Sequence, residues 1–296
     1  MNDIHSNRSH PAGAAPLSLA TTVLIAPGLA MPLLGFGTYK SKPGEEAHTS
    51  VLHALELGYR HIDTAALYEN EADVGEAVRE SGVRRDEVFI TTKVWDTEQG
   101  YDTTLAAFDK SLAKLGTPYV DLYLVHWPKP ALAQDTWRAM EEIHASGRAR
   151  AIGVCNHLPH HLEALLAHAT VPPAVNQVEF HPRLQQPDLQ RFCAQRGITL
   201  EAWAPIMRGG VFHIPEILTI AERHAKSAAQ VTLRWILQKD IVAIPKSVHK
   251  DRIAENAALF LLRALGGGDG HDRRARHRRA DRPPPGPPVG LFGLEL

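Results

Sequence analysis

From residue 33 onward, short apolar runs alternate along the chain with longer segments whose apolar residues recur at helical spacing. Two of these helical faces are formed by Val51, Ala54 and Leu55 and by Leu105, Phe108, Leu112 and Leu115. Apolar residues three and four positions apart lie on one side of a helix, so these faces are expected to pack against a sheet. Strands that alternate with helices in this way are typical of βαβ units and a parallel sheet.

Eight apolar runs are predicted to form the strands of that sheet. They cover residues 33–37, 60–63, 88–93, 120–126, 149–155, 174–179, 199–203 and 241–245. Eight strands without a long gap favour an α/β fold of the closed (β/α)8 TIM barrel type over an open doubly wound sheet. No Gly-x-Gly-x-x-Gly sequence follows the first run, which disfavours a Rossmann fold.

Turn and capping residues add two local predictions. Pro27 and Gly28 lie at the centre of residues 23–31 and favour a tight turn, so an N-terminal β-hairpin is predicted ahead of the first barrel strand. This hairpin would close the barrel floor. Ser227 and Gln230 have the spacing of a capping box, so a helix is predicted to begin directly after Ser227.

The two ends of the chain differ in composition from the middle. Residues 1–20 are predicted to be a flexible leader and residues 21–262 the barrel domain. In residues 263–296, glycines lead into an arginine-rich run and then a proline-rich run without apolar periodicity, so an atypical disordered tail is predicted. We interpret this tail as the product of a shifted reading frame; a basic arm for nucleic acid or anionic surfaces is the functional alternative.

Composition narrows the class of protein. Apolar residues make up 44% and charged residues 22%, and the formal net charge is −1, so a soluble globular protein without a nucleic-acid partner is expected. The two cysteines, Cys155 and Cys193, are too few for a disulfide framework and fit a reducing, cytoplasmic location. The early apolar stretch is interrupted by Pro27, Gly28 and Pro32, which predicts neither a membrane-spanning helix nor a secretory signal.

Four polar residues lie where active sites of parallel barrels are built, at the carboxyl ends of strands. Asp63, Lys93 and His126 end three successive predicted strands, and Tyr68 lies in the loop after Asp63. Each alone also fits a structural role, such as a helix cap, a rim charge or a packing ring. Together they fit acid–base chemistry. The Lys93 ammonium would lower the pKa of the Tyr68 phenol, Asp63 would hold Lys93, and His126 would orient a substrate carbonyl.

Several motifs follow one another in the order known from one enzyme family. They are Leu34 to Tyr39, Asp63-Thr64-Ala65 with Tyr68, Asn70-Glu71, Val74-Gly75, Thr92-Lys93, Asp121 to Pro128, Ile152-Gly153-Val154, Asn176-Gln177, Ile244 to Ser247, Arg252-Ile253 and Glu255-Asn256. Over about residues 21–260 the sequence resembles the aldo-keto reductase family. Trp95, Trp127 and residues 202–205 make it look closest to the bacterial 2,5-diketo-D-gluconate reductase branch.

The resemblance implies an oxidoreductase that uses NADPH to reduce small aldehydes and ketones, such as keto sugars and methylglyoxal-like carbonyls, to alcohols. Tyr68 would be the general acid. The implied substrate pocket is aromatic and lined by Tyr39, Trp95, His126 and Trp127. Such a pocket predicts broad specificity. The family also implies a monomer whose partner is the small-molecule carbonyl substrate.

The resemblance also implies how the cofactor is held. The implied NADPH-binding residues are Gly37, Thr38, Cys155, Asn156, Gln177, Trp203, Ala204, Pro205, Ile206, Lys246, Ser247, Val248, Arg252, Glu255 and Asn256. Asn156 and Gln177 would hydrogen-bond the carboxamide, and Trp203 would stack on the nicotinamide. Lys246, Ser247 and Arg252 would hold the 2′-phosphate, with Glu255 and Asn256 near the adenine. The positive pair, Lys246 and Arg252, favours NADPH over NADH.

Three features depart from the family pattern. Cys155 stands where a serine is usual, and a thiol is the weaker hydrogen-bond donor. His157 replaces a usual phenylalanine and lies near His160 and His161, but without a carboxylate partner this cluster predicts no metal site. Near Phe260 the pattern ends, where family members continue into a helix and a loop beside the substrate pocket, so lower stability and activity are expected.

Two other functions stay open at the level of the sequence. A lyase would use Lys93 as a Schiff-base nucleophile, which is also found on barrels. A cofactor-binding remnant would hold NADPH but lack a formed substrate pocket because of the altered end of the chain. Borohydride trapping on Lys93 would indicate the lyase, and cofactor binding without turnover would indicate the remnant.

Overall fold

The computed structural model describes residues 17–261. Its β-strands are β1 (Thr22–Ala26), β2 (Leu29–Pro32), β3 (Phe36–Gly37), β4 (His61–Asp63), β5 (Phe89–Val94), β6 (Val120–Val125), β7 (Ala149–Cys155), β8 (Val175–Glu179), β9 (Thr199–Trp203) and β10 (Val242–Ala243). Its α-helices are α1 (Glu45–Glu56), α2 (Glu71–Glu80), α3 (Tyr101–Leu115), α4 (Ala133–Ala145), α5 (Pro159–Leu166), α6 (Pro187–Gln195), α7 (Pro215–Arg223), α8 (Ala228–Leu237) and α9 (Lys250–Ala257). Strands and helices alternate from β3 to α9, except that α7 and α8 both lie between β9 and β10.

Strands β3 to β10 form one parallel sheet in which each strand pairs with the next in the chain. The first and last strands also meet: Leu34 forms a parallel bridge with Ala243. There the N–H of Gly35 donates to the carbonyl of Ala243 at 2.9 Å, and the N–H of Ala243 donates to the carbonyl of Leu33 at 2.9 Å. The sheet therefore closes on itself, and the predicted barrel is confirmed.

The early apolar stretch forms the antiparallel hairpin β1–β2 rather than a helix. Met31 of this hairpin is fully buried, and Thr22, Ala30 and Pro32 line a cavity together with Phe89 at the start of β5. The hairpin thus lies at the amino ends of the barrel strands, which confirms the predicted barrel floor. Among the described residues, no helix is long and apolar enough to cross a membrane.

Helix α8 begins as its capping box predicts, and helix α3 buries a different stripe from the predicted one. Ser227 Oγ accepts from the N–H of Gln230 at 3.2 Å, and the Gln230 side chain accepts from the Ser227 N–H at 3.1 Å.

In α3, Leu105 and Leu112 are only half-buried. The fully buried residues of α3 are Thr104, Ala107, Phe108, Ser111 and Leu115. Small residues of α3 face inward because α3 packs closely between α2 and α4. Leu105 and Leu112 lie at the sides of this buried face.

The ends of the chain are described only in part. Residues 17–20 of the predicted leader belong to the described chain, and Leu17 is buried. The rest of the leader and the tail at 263–296 lie outside the described residues. The domain boundaries at residues 20 and 262 therefore stay predictions.

Gly75 sets the distance between α2 and the end of α3. A Cβ atom at residue 75 would lie 2.0 Å from the carbonyl oxygen of Leu115, which is a backbone atom and cannot move aside cheaply. We expect Gly75→Ala to lower the free energy of unfolding by about 1–3 kcal/mol, because the two helices must separate. Urea denaturation measures this change.

The matched control is Glu76→Ala, at the adjacent exposed position of the same helix. We expect this variant to stay within about 0.5 kcal/mol of the parent protein. Equal unfolding midpoints for Gly75→Ala and the parent would show that the helices do not rely on this close approach.

Candidate active site

The four side chains predicted to carry chemistry meet at the carboxyl ends of the barrel strands. Asp63 is the last residue of β4, and Lys93 is the penultimate residue of β5. His126 directly follows β6, one residue beyond the observed end of that strand. Tyr68 ends a short 3-10 turn after β4, held by a hydrogen bond from its N–H to the Ala65 carbonyl at 2.9 Å.

Lys93 and Asp63 form a buried ion pair. The Lys93 Nζ donates to both carboxylate oxygens of Asp63, at 2.7 and 2.8 Å, and to the carbonyl of Thr64 at 2.8 Å. Burial by itself would lower the pKa of Lys93, but the negative charge of Asp63 holds that pKa above its ordinary value. The ammonium therefore stays charged, and its position is set by three acceptors.

Tyr68 lies within reach of this ammonium. The Lys93 Nζ lies 3.5 Å from the phenol oxygen and 5.0 Å from the ring centre. Burial raises the pKa of Tyr68 above its usual value of 10, and the opposing charge of Lys93 does not cancel that effect. The charge of Lys93 does lower the pKa of Tyr68, as predicted. The prediction of a lowered pKa is nevertheless wrong, because the loss of water around the buried phenol raises the pKa by more. The phenol is therefore fully protonated at neutral pH.

His126 completes the group of four. Its ring centre lies 5.7 Å from that of Tyr68 and 5.1 Å from that of Trp95. Burial and the charge of Lys93 lower the pKa of His126 to about 3, so the imidazole is neutral. Its Nδ1 is buried and has no hydrogen-bond partner among the described residues. A neutral imidazole in this position can donate one hydrogen bond without adding a second positive charge.

Aromatic rings surround the phenol on the open side. The ring of Tyr39 lies 5.0 Å from that of Tyr68, and 46% of Tyr39 is exposed. Trp127 is 43% exposed and follows His126, and Trp95 is half-buried. Core packing thus does not account for Tyr39 and Trp127, and the rings of Tyr39, Tyr68, His126 and Trp95 form a continuous series of contacts.

Amide side chains border the group on its other side. The Gln177 Nε2 donates to Asp63 Oδ2 at 2.7 Å and to Glu201 Oε2 at 2.9 Å. Asn156 accepts from the Trp203 indole N–H at 2.9 Å and donates to the His126 carbonyl at 3.0 Å. These contacts place Gln177, Asn156 and Trp203 beside the ion pair and the imidazole.

The remaining predicted cofactor residues lie at strand ends and in the loops that follow them. The Thr38 hydroxyl donates to the Asp63 carbonyl at 2.9 Å, and the N–H of Gly37 donates to the Pro245 carbonyl at 3.1 Å. Cys155 ends β7 as a buried free thiol opposite Gln177, and burial raises its pKa. After β9, Ala204 has a left-handed backbone, Pro205 is buried and Ile206 is half-buried.

The segment after β10 carries the two predicted phosphate-binding cations, Lys246 and Arg252, on either side of the start of α9. Lys246 is half-buried, and its Nζ donates to the Lys40 carbonyl at 3.2 Å. Ser247 is buried, Val248 is half-buried, and Arg252 is exposed in the first turn of α9. Further along α9, Glu255 is half-buried and Asn256 is buried. Positive side chains beside the amino end of a helix fit an anionic phosphate.

Sequence reasoning assigned no role to two buried residues of the site, Asn70 and Glu201. Asn70 is fully buried and ties two loops together: it accepts from the Thr64 hydroxyl of its own loop at 2.7 Å and donates to the carbonyls of Thr38 and Ser41, in the loop after β3, at 3.1 and 3.3 Å. Glu201 is fully buried in β9. The signal that could have identified Glu201 is a carboxylate within a short run of mostly apolar strand residues.

The three histidines of the cluster contact the backbone and one another. The His157 ring hydrogen-bonds the Cys155 carbonyl at 2.8 Å, and the rings of His160 and His161 pack at 3.9 Å between centres. In the part of the chain that the structure describes, no three His, Cys, Asp or Glu side chains are arranged to hold a metal ion.

Comparisons with known proteins identify the family. Residues 33–265 match the Aldo/keto reductase family. Glyoxal reductase of Bacillus subtilis (strain 168) is 54% identical over 245 residues, which are 83% of this chain and 89% of that protein. An aldo/keto reductase structure from Brucella melitensis has a TM-score of 0.78 at 45% identity, covering 81% of this chain and 93% of that one. A mutant of Gox0644 in complex with NADPH also has a TM-score of 0.78, at 41% identity, covering 84% and 89%. This chain therefore belongs to the aldo/keto reductase family of oxidoreductases.

Proposed function

We propose that this chain uses NADPH to reduce small aldehydes and ketones to alcohols, with Tyr68 as the proton donor. The observation that carries the proposal is the position of Lys93, whose ammonium contacts the Asp63 carboxylate and lies 3.5 Å from the Tyr68 phenol oxygen. That arrangement faces exposed aromatic side chains suited to a small carbonyl compound. A relative that is a glyoxal reductase supports the same substrate class.

The side chains divide the reaction between them. NADPH, when bound, supplies the hydride that reduces the carbonyl carbon. The neutral His126 imidazole holds the carbonyl oxygen by a hydrogen bond, and the protonated Tyr68 phenol gives its proton to that oxygen as negative charge develops. Lys93 then stabilises the phenolate, and Asp63 keeps Lys93 charged and in place. A raised pKa in the resting protein suits this role, because the donor must carry its proton before the reaction begins.

The donor set around the barrel mouth fits NADPH. Trp203 offers a half-exposed indole for stacking, and Gln177 and Asn156 offer amides for the carboxamide. Lys246 and Arg252 offer positive charge for the 2′-phosphate, as the sequence predicts. The NADPH complex of the Gox0644 mutant supports this assignment.

Arg252→Ala is expected to weaken the binding of NADPH but not the binding of NADH. A hydrogen bond to a charged group contributes about 1.5–3 kcal/mol, so KM for NADPH should rise by about 10–100-fold, while KM for NADH changes little. Initial rates with each cofactor at saturating aldehyde measure the difference. Arg223→Ala, at an exposed position of α7, is the control and should leave both KM values unchanged. Equal increases in KM for NADPH and NADH would show that Arg252 does not bind the 2′-phosphate.

The proposed function itself is tested by following NADPH absorbance with glyoxal, methylglyoxal, nitrobenzaldehyde and keto sugars. Oxidation of NADPH with several of these compounds is the expected result. Binding of NADPH without turnover on any of them would contradict the proposal and indicate the cofactor-binding remnant. The structure gives no support to the lyase, because a Schiff-base nucleophile must be a neutral amine and the Lys93 ammonium is held charged by Asp63.

A further inference from the structure

We propose that Glu201 is a positioning residue that holds a proton beside the active site, so that Asp63 is the only carboxylate charge facing Lys93. The inference rests on the proposed function, because the effect of Glu201 on reduction acts through Asp63, Lys93 and Tyr68. Neither the sequence motifs nor the proposed mechanism gives Glu201 a role. Its contacts in the barrel interior do.

One amide group joins the two carboxylates. The Gln177 Nε2 donates one hydrogen to Asp63 Oδ2 at 2.7 Å and the other to Glu201 Oε2 at 2.9 Å. Both hydrogens of that group are therefore used, and the carbonyl Oε1 is the atom that Gln177 offers to a ligand. Glu201 thus fixes which end of the Gln177 amide faces outward.

The second oxygen of Glu201 points to a bound proton. Glu201 Oε1 is buried and has no hydrogen-bond partner in the described structure; His61 Nε2, which hydrogen-bonds with the Thr91 hydroxyl at 3.2 Å, lies 3.6 Å away. An ionised oxygen without a donor is costly inside a protein. A proton on Oε1 lowers that cost, because a neutral carboxylic acid loses far less free energy than a carboxylate when it is removed from water.

The charges around Glu201 favour the same state. The titratable groups that face it are Asp63 and His61 from β4, Lys93 from β5 and Cys155 from β7. Burial lowers the pKa of His61 to about 3, so His61 is neutral, and Lys93 is the cation of this set. One ammonium balances one carboxylate, and its direct contacts are with Asp63. Burial and the charge of Asp63 raise the pKa of Glu201 to about 8, above neutral pH.

Loss of the Glu201 proton would make Tyr68 a weaker proton donor. An ionised Glu201 adds a second negative charge near Asp63, which offsets the ammonium and disfavours the phenolate that forms on Tyr68 during reduction. The rate of reduction should therefore fall as pH rises through the pKa of Glu201. The fall belongs to the ionised form of Glu201, so it should be absent when residue 201 cannot ionise.

Infrared spectroscopy of the cofactor-free protein tests the proton directly. The expected result is a carboxylic-acid carbonyl band at neutral pH that disappears on titration through about pH 8 and is absent in Glu201→Gln. Asp121→Asn is the matched control: Asp121 is also buried, but both of its oxygens accept, from the Ile90 N–H at 3.0 Å and from Arg150 at 2.9 Å, so this variant should leave the band in place. A wild-type protein without this band at neutral pH would overturn the inference, whether or not either variant folds.

Kinetics test the positioning role. For wild-type protein and Asp121→Asn, kcat with NADPH is expected to fall about tenfold between about pH 7 and about pH 9, whereas Glu201→Gln should stay within about threefold over that range. The same alkaline fall in Glu201→Gln would overturn the inference. Failure of all proteins to oxidise NADPH would instead contradict the proposed function, and the infrared band would still decide whether Glu201 holds a proton.

Discussion

Tyr68→Phe is expected to lower kcat for carbonyl reduction by about 10²–10⁴-fold, the range that a positioned general acid contributes. The variant loses one oxygen atom and keeps the ring that packs against Tyr39 and His126. Lys93 keeps its acceptors on Asp63 and Thr64, so the fold should persist. Stopped-flow or steady-state oxidation of NADPH measures kcat, and quenching of tryptophan fluorescence measures cofactor binding.

Cofactor affinity separates a chemical role from a structural one. Tyr68→Phe should bind NADPH within about threefold of the wild-type affinity, because the phenol oxygen acts on the substrate. Tyr119→Phe, which removes a hydroxyl from a ring that stacks on Arg85 away from the site, should retain full activity. Retention of more than about a tenth of kcat in Tyr68→Phe would mean that another group donates the proton.

Lys93→Met is expected to damage both stability and catalysis. The substitution leaves the Asp63 carboxylate buried with Gln177 as its remaining side-chain donor. Breaking a buried ion pair on one side lowers the free energy of unfolding by about 3–5 kcal/mol. Reduction should also fall by about 10²-fold or more, because the phenolate on Tyr68 loses its counter-charge. Urea denaturation and NADPH oxidation measure the two effects.

A double variant distinguishes the two losses. Asp63→Asn combined with Lys93→Met removes both charges and should recover part of the stability but none of the activity. Lys110→Met is the surface control, since Lys110 is 67% exposed in its contact with Glu98, and it should change stability by less than about 1 kcal/mol. If Lys93→Met were as stable as wild type, the buried pair would not be a structural requirement.

The fold was predictable where pairing is local in the sheet. Strands β7 and β9 begin and end at the predicted residues, and each pairs with the strands before and after it in the chain. The runs 33–37 and 241–245 contain only the two-residue strands β3 and β10, and each run also hydrogen-bonds with the closing partner at the other end of the sheet. That partner is distant in sequence, and no local pattern of apolar residues indicates it.

The site was predictable in its members and less so in its electrostatics. Strand ends and family motifs together indicated Asp63, Tyr68, Lys93 and His126, and the structure brings all four together. The direction of the Tyr68 pKa depends on how much water the fold removes, which charge spacing along the chain does not encode. The link from Gln177 to Glu201 likewise depends on the register between β8 and β9.

The seam between β3 and β10 has a consequence for biosynthesis. Until residue 243 has been made, β3 lacks its last neighbour and the nascent chain carries an open sheet edge, which is a template for pairing with other chains. Joining the two ends also costs the entropy of closing a loop that contains almost the whole barrel. The interval between translation of β3 and of β10 is therefore the period in which the newborn protein most needs protection from aggregation.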